Sequence, residues 1–311
     1  MTINNDATSA THKSGFVAFV GRPNAGKSTL TNALVGQKVA ITSGRPQTTR
    51  HTVRGIINAP DHQLIIVDTP GLHRPRTLLG ERLNTVVKDT LSDVDVIGFC
   101  LPADQKVGPG DRFIAEQLQV LLGGRGTTPL IAIATKTDLV SKQRVAEHLM
   151  DIANLGDWAE IIPVSAKDGF QVGTLRDLFV AHLRPGPKFY AEDELTDEPL
   201  EVMVAELVRE AALEGVHQEL PHSIAVVVEE MNNRPKGKGV LTEIRAIIYV
   251  ERDSQKGIII GKGGQRLRDV GIKARAEIQK MIDTDKVFLD LHVKVANNWQ
   301  TDPKQLQKMG F

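Results

Sequence analysis

Positions 21 to 28 read GRPNAGKS, which is G-x-x-x-x-G-K-S without a gap, directly after the apolar run FVAFV. Glycines at the ends of such a loop let backbone N–H groups converge on an anion, and a helix beginning at the serine aims its positive end at the same point. Gly21, Arg22, Pro23, Asn24, Ala25 and Gly26 therefore form a candidate phosphate cradle. Lys27 can reach the β and γ oxygens of a nucleotide, Ser28 can offer a hydroxyl to Mg2+, and Thr29 continues the helix. The strand before and the helix after make a purely structural Gly-rich turn the weaker reading.

Other apolar runs end on residues that suit the same ligand. LIIVDTPG presents Asp68, whose carboxylate can hold a magnesium water shell, and Gly71, whose N–H can bond a γ-phosphate. The polar stretch ITSGRPQTTRHT between them reads as a mobile loop in which Thr49 closes onto Mg2+ when a triphosphate is bound. IAIATKTDL ends on Thr135, Lys136 and Asp138. In a parallel sheet ligands sit outside the carboxyl ends of strands, so Asp138 faces the nucleotide, where a carboxylate can accept from the N1–H and the amine of guanine. Adenine has no such donor pair. PVSAKDG then sets Ser165, Ala166 and Lys167 beside the base, with the Ala166 N–H able to reach the guanine O6.

Stepping outward to the elements, residues 15–183 alternate short apolar runs with helical patterns, the rhythm of an α/β domain whose mostly parallel sheet carries helices on both faces. Residues 184–199, RPGPKFYAEDELTDEP, break every periodicity and read as a linker, while 1–14 are polar and read as a disordered leader. From 200 to 300 the order becomes α, β, β, α, α, β, a smaller α+β domain, and 301–311 are left as a tail. A length of 311 residues suits two cores. No apolar run approaches the roughly 20 residues that span a bilayer, which places the protein in the cytoplasm. The single cysteine, Cys100, excludes an internal disulfide, and nine histidines without ligand spacing predict no zinc.

Formal charge is zero overall, yet residues 234–280 hold 12 Lys or Arg against five acids, so this window is +7 and the remainder −7. Within it lies IIIGKGGQ, where Gly261, Lys262, Gly263 and Gly264 form a G-x-x-G turn between two helices. Such a turn can bring a nucleic-acid backbone close and lay about four unpaired nucleotides across a groove. Arg266 and Arg268 follow on the next helix. Aromatic residues are sparse here, so bases are expected against Ile258 and Ile259, which favours single-stranded RNA over duplex.

GRPNAGKS, QTTRH, DTPG, TKTD and SAK, in this order, resemble the translation-factor-like GTPases, and IIIGKGGQRLRDVG within the second domain narrows the resemblance to the Era family, a GTPase domain followed by a type 2 KH domain. That resemblance implies GTP and GDP as ligands with Mg2+ at Ser28, Thr49 and Asp68. It implies Lys27, Thr49 and Gly71 as the groups nearest the reaction, and a slow intrinsic GTPase. It also implies the 3′ region of 16S rRNA and the small (30S) ribosomal subunit as partners of a monomer, with peripheral contact at the cytoplasmic face of the membrane. The family usually has Asn-Lys-x-Asp where this chain has Thr135, so part of the purine contact is lost. Ras-like enzymes carry a water-orienting Gln where Leu72 stands. In relatives with such a residue a potassium ion near the P-loop supplies charge, with Asn24 matching its ligand; the other reading is that Asn24 only shapes its loop. Two further classes stay open: a GTP-dependent accessory of an RNA-modifying enzyme, for which no separate nucleophile or acid–base cluster is found, and an ATP user, admitted by Thr135.

Overall fold

KSGFVAFV carries apolar side chains toward both faces, as a strand must when helices cover both sides of its sheet. In the computed structural model, which describes residues 12–43, 48–75, 77–123, 128–216, 220–236, 239–284 and 286–311, this segment is the centre of the first domain. The chain runs β1 (Lys13–Val20), α1 (Lys27–Val35), β2 (Val53–Asn58), β3 (His62–Asp68), α2 (Leu78–Ser92), β4 (Val96–Pro102), α3 (Pro109–Leu122), β5 (Leu130–Thr135), α4 (Lys142–Ala153), β6 (Glu160–Pro163), α5 (Val172–His182) and β7 (Arg184–Pro185). The strand order is β2-β3-β1-β4-β5-β6, parallel except for β2, and β7 pairs antiparallel with the start of β1. One face packs Phe19, Leu64 and Ile133 against Leu30, Leu175 and Phe179; the other packs Val20, Ile65 and Phe99 against Val87, Ile114 and Ile152.

Three sequence expectations change here. The leader was expected to run through residue 14; residues 1–11 lie outside the described set, but Lys13 and Ser14 already belong to β1. The antiparallel edge strand β2 was not foreseen. Its Gly55 lies tight under α1, since a Cβ there would meet Val35 Cγ2 at 2.6 Å. The stretch 184–199 is strapped to the first domain instead of hanging free. Gln63 Oε1 accepts from the Phe189 and Tyr190 N–H groups, Asn58 Nδ2 donates to the Ala191 and Glu192 carbonyls, and Ile56 N–H donates to Leu195 O at 2.9 Å. The connector thereby covers the open edge of β2, which would otherwise offer unpaired backbone groups.

The second domain continues with α6 (Leu200–Leu213), α7 (Leu220–Ser223), β8 (Ala225–Lys236), β9 (Gly239–Val250), α8 (Asp253–Ile260), α9 (Gln265–Met281), β10 (Val287–Val295) and α10 (Pro303–Lys308). β9 is central, antiparallel to β8 and parallel to β10. Val204 and Val208 of α6, Ile259 of α8, and Val270, Ala274 and Ile278 of α9 pack on one face of this sheet. The other face meets the segment expected as a tail. Trp299, Leu306 and Met309 lie on Ala225, Ile247 and Tyr249, and the cluster is completed by Leu79 and Leu83 of α2. Residues 301–311 are therefore part of the seam between the domains.

Trp299 is fully buried, and its indole N–H donates to Ser223 O at 3.0 Å. Trp299→Ala should cost about 3–5 kcal/mol, read as a lowered midpoint for the second domain in denaturant while the first keeps its own. A midpoint unmoved in both domains would contradict this seam.

Candidate nucleotide site and nucleic-acid face

β1 delivers the chain to the cradle, and backbone conformation shapes it. Gly26 has φ 89°, in the left-handed region, and caps α1 without a side-chain hydrogen bond, so first-turn N–H groups remain for a ligand. A Cβ at Gly21 would meet Cys100 O at 2.7 Å. Asn24 also has positive φ, 62°, a conformation that asparagine tolerates. Ala25 is buried, Thr29 is exposed on the outer side of α1, and Arg22 turns away to pair with the buried Asp111 at 2.7 Å. Lys27 is buried and donates to the Gly21 and Arg22 carbonyls, both at 3.2 Å. Burial pushes its ammonium below the ordinary value, with Asp68 opposing. Gly71 sits against Pro23, where a Cβ would come within 2.6 Å of the proline nitrogen, so only glycine fits this close to the loop.

Ser28, Thr49 and Asp68 converge. Ser28 Oγ lies 2.8 Å from Thr49 Oγ1, which donates to Asp68 Oδ2 at 3.4 Å. Asp68 is wholly buried, and its Oδ1 has no hydrogen-bond partner among the described residues. Burial pushes this carboxyl up to about 6, against the pull of Lys27, Ser28 and Thr49. Two hydroxyls and a carboxylate with one oxygen open form an all-oxygen donor set that fits Mg2+. Leu72 is 4% exposed and points into the core, so its side chain lies away from any attacking water.

At the end of β5, Lys136 takes a left-handed conformation, φ 57°, and turns the chain so that Asp138 is exposed. The buried Ser165 donates to Asp138 Oδ1 at 3.0 Å, fixing the carboxylate and leaving its other oxygen for a base. Ala166 and Lys167 follow on the same turn. Thr135 donates through Oγ1 to Ala25 O at 2.6 Å and is 4% exposed. Its hydroxyl ties the base loop to the phosphate loop and is spent on that contact.

On the second domain Gly261, Gly263 and Gly264 have φ of 73°, 60° and 77°. A Cβ at Gly261 would strike Arg266 Cβ at 2.7 Å, whereas Gly263 and Gly264 open onto free space. Gly264 caps α9 without a side-chain hydrogen bond, leaving another helix N-terminus for an anion. Lys262 and Arg268 are exposed. Arg266 reaches back to α6, donating to Glu214 O at 2.6 Å and Ala212 O at 3.3 Å, so it clasps two helices of the domain. Ile258 is 51% exposed, but Ile259, expected beside it against bases, is fully buried. Lys238 of the positive window lies outside the described residues.

Sequence reasoning gave no role to Arg50 or Arg209, two of the largest fully buried side chains. Arg50 Nη1 donates to Ile224 O at 2.6 Å, and Arg209 Nη2 donates to Thr48 O. A signal existed for Arg209: it shares the buried stripe of α6 with Ala205, four residues before it, and Ala212, three after it.

A phosphate loop on a parallel sheet, an acid held at the base position and a G-x-x-G turn in a three-stranded α+β domain define a P-loop GTPase fused to a KH domain. Family models agree: residues 16–136 match "50S ribosome-binding GTPase" and residues 219–300 match "KH domain". GTPase Era of Streptomyces coelicolor is 64% identical over 96% of this chain and 95% of its own length, and that of Nocardioides sp. is 60% identical over 100% of both. A crystal structure of Era in complex with MgGDPNP and nucleotides 1506–1542 of 16S ribosomal RNA superimposes with TM-score 0.89 at 35% identity, covering 96% of this chain and 99% of that one. This chain belongs to the Era family of GTPases.

Thr135→Val keeps the volume and removes the donor, leaving Ala25 O buried without it. GDP and GTP should weaken together by about 1–3 kcal/mol, measured by competition against a labelled guanine nucleotide. A loss confined to one nucleotide would show that the tether does not shape the common part of the site.

Proposed function

We propose that this protein is a GTP-controlled RNA-binding switch that hydrolyses GTP to GDP and phosphate, binds the 3′ region of 16S rRNA as a single strand and assists assembly of the 30S subunit. One observation carries the reading. The phosphate loop and the G-x-x-G turn are presented in an arrangement that matches, over 96% of the chain, a protein holding MgGDPNP and a 16S rRNA segment together.

In this reading the residues of Gly21–Thr29 cradle the phosphates, with Lys27 on the β and γ oxygens and the Gly71 N–H on the γ-phosphate. Ser28, Thr49 and Asp68 are the residues that would hold Mg2+. When bound, the ion neutralises charge on the β and γ oxygens. Asp138, held by Ser165, selects guanine, while Lys136, Ala166 and Lys167 frame the base. Because Leu72 is turned inward, no side chain at that position orients water and intrinsic turnover is slow; a potassium ion beside Asn24 would supply charge there. On the RNA side the Gly261–Gly264 turn, Lys262 and Arg268 receive phosphates. Arg266 acts by holding the turn in place. The GTPase unit runs from β1 at Lys13 to β7 at Pro185, the KH unit is 200–300 with residues 301–311 packed against it, and the protein works as a cytoplasmic monomer with peripheral membrane contact. Among the described residues no helix is long and apolar enough to cross a membrane.

Gly263→Asp with Gly264→Asp tests the clamp: a Cβ at either position meets no protein atom within 4 Å, and the left-handed φ of 60° and 77° costs aspartate less than most residues. Binding of the RNA 3′ segment should collapse while GDP and GTP affinities persist. Parent binding should weaken steeply with salt as released counterions lose their entropic advantage. RNA affinity indifferent to both the aspartates and salt would overturn the assignment.

A further inference from the structure

Thr48, Thr49 and Arg50 are consecutive, and each is engaged differently. The hydroxyl of Thr49 lies in the metal cluster with Ser28 and Asp68. The carbonyl of Thr48 is taken by Arg209 of α6, and the guanidinium of Arg50 is taken by Ile224 O and lies over the rings of Trp299 and Phe311, at 5.4 and 5.8 Å. Thr49 is therefore presented to the nucleotide site by neighbours that are both anchored in the KH domain and its C-terminal segment.

Arg209 is 1% exposed and is itself oriented by Glu206, whose Oε1 accepts from Nε at 2.8 Å and whose Oε2 accepts from Nη2 at 2.6 Å. Burial would raise the Glu206 carboxyl, but the cations around it, Arg209 first and then His51 and Arg50, together hold it below the ordinary value. A buried ion pair contributes little net stability over apolar residues of the same volume, so the contribution of this one is direction: it aims a charged donor across the domain seam at one carbonyl. Arg50 lies close enough to Arg209 that burial, and then this second guanidinium, push it down to about 9. Glu206 and Glu251 oppose this shift, so the two guanidiniums are accommodated beside carboxylates where the loop docks. Beside it, a cavity of about 460 Å³ lined in part by Thr49, His51, Glu206 and Met281 leaves the segment room to withdraw.

We propose that Arg209 is a positioning residue of the GTP site, through which the KH domain holds Thr48 and so presents Thr49 to Mg2+ when a triphosphate is bound. This rests on the proposed GTP-switch reading. GDP lacks the γ-phosphate that calls Thr49 into place, so the contribution of Arg209 is specific to the triphosphate state.

The test uses the full chain with Arg209→Met, and a second variant, Glu206→Gln with Arg209→Met, which leaves no buried carboxylate unpaired if the first fails to fold. Affinities for GDP and for a non-hydrolysable GTP analogue with Mg2+ are measured by titration. Hydrogen exchange at residues 49–51 is measured without nucleotide. The expected result is a loss of about 10- to 100-fold for the GTP analogue, the range of a hydrogen bond to a charged group, with GDP within about twofold and faster exchange at residues 49–51. Equal losses for both nucleotides, or affinities and exchange like those of the parent, would overturn the proposal. A parent protein that binds no guanine nucleotide would instead defeat the underlying reading.

Discussion

A parallel sheet delivers its strand ends to one side, and the residues placed to touch a nucleotide hang from that side. The ends of β1, β3, β5 and β6 supply the Gly21–Thr29 loop, Asp68 with Gly71, Thr135 with Asp138, and Ser165 in turn. Short bonds then tie these loops together: Thr135 to Ala25, Ser165 to Asp138, and Gly71 against Pro23. The cradle is therefore set largely before a ligand arrives, which lowers the ordering cost of binding. Thr49 is the exception in how it is held: it comes from the long connection between α1 and β2 and reaches Ser28 and Asp68 from there.

That exception gives the second domain its influence. The edge strand β2 fixes one end of the loop, and the KH domain seizes it just upstream through Arg209 and Arg50. The C-terminal segment closes the seam from below: Phe311 stacks on His51 with ring centroids 4.9 Å apart, and its backbone oxygen accepts from Arg82 of α2 at 2.7 Å. The loop that carries Thr49 and the helix that follows Gly71 thus meet the same small cluster around Trp299. With the connector strapped along β2, a change at the γ-phosphate position has a route of contiguous contacts into the KH sheet.

Much of this was legible in the sequence because it is local. A phosphate loop, an acid just past a strand end and a G-x-x-G turn are each set by a few consecutive residues, and the α, β, β, α, α, β order follows from periodicity. What escaped was set by partners distant in sequence. VRGIIN, with a glycine inside and an asparagine at its end, becomes β2 only because β3 offers a matching edge. Residues 301–311 carry too few apolar residues to look like core until two domains meet on them. Arg209 drew no reading from the sequence, although its spacing from Ala205 and Ala212 placed it on the apolar stripe of α6. Ile259 and Ile258 are neighbours in sequence, and only the turn of α8 decides that the first is buried and the second free to meet a base.

The central claim is that one seam serves both sites, so the nucleotide state and RNA affinity are linked. Linkage is reciprocal, and coupling through a shared interface is typically about 1–3 kcal/mol. The most direct measurement is titration of one RNA fragment from the 3′ region of 16S rRNA against the protein loaded with GDP and with a non-hydrolysable GTP analogue, at one salt concentration. The account predicts tighter RNA binding in the triphosphate form, by about 5- to 150-fold. Equal affinities in the two forms would contradict it and leave two independent modules joined by one chain.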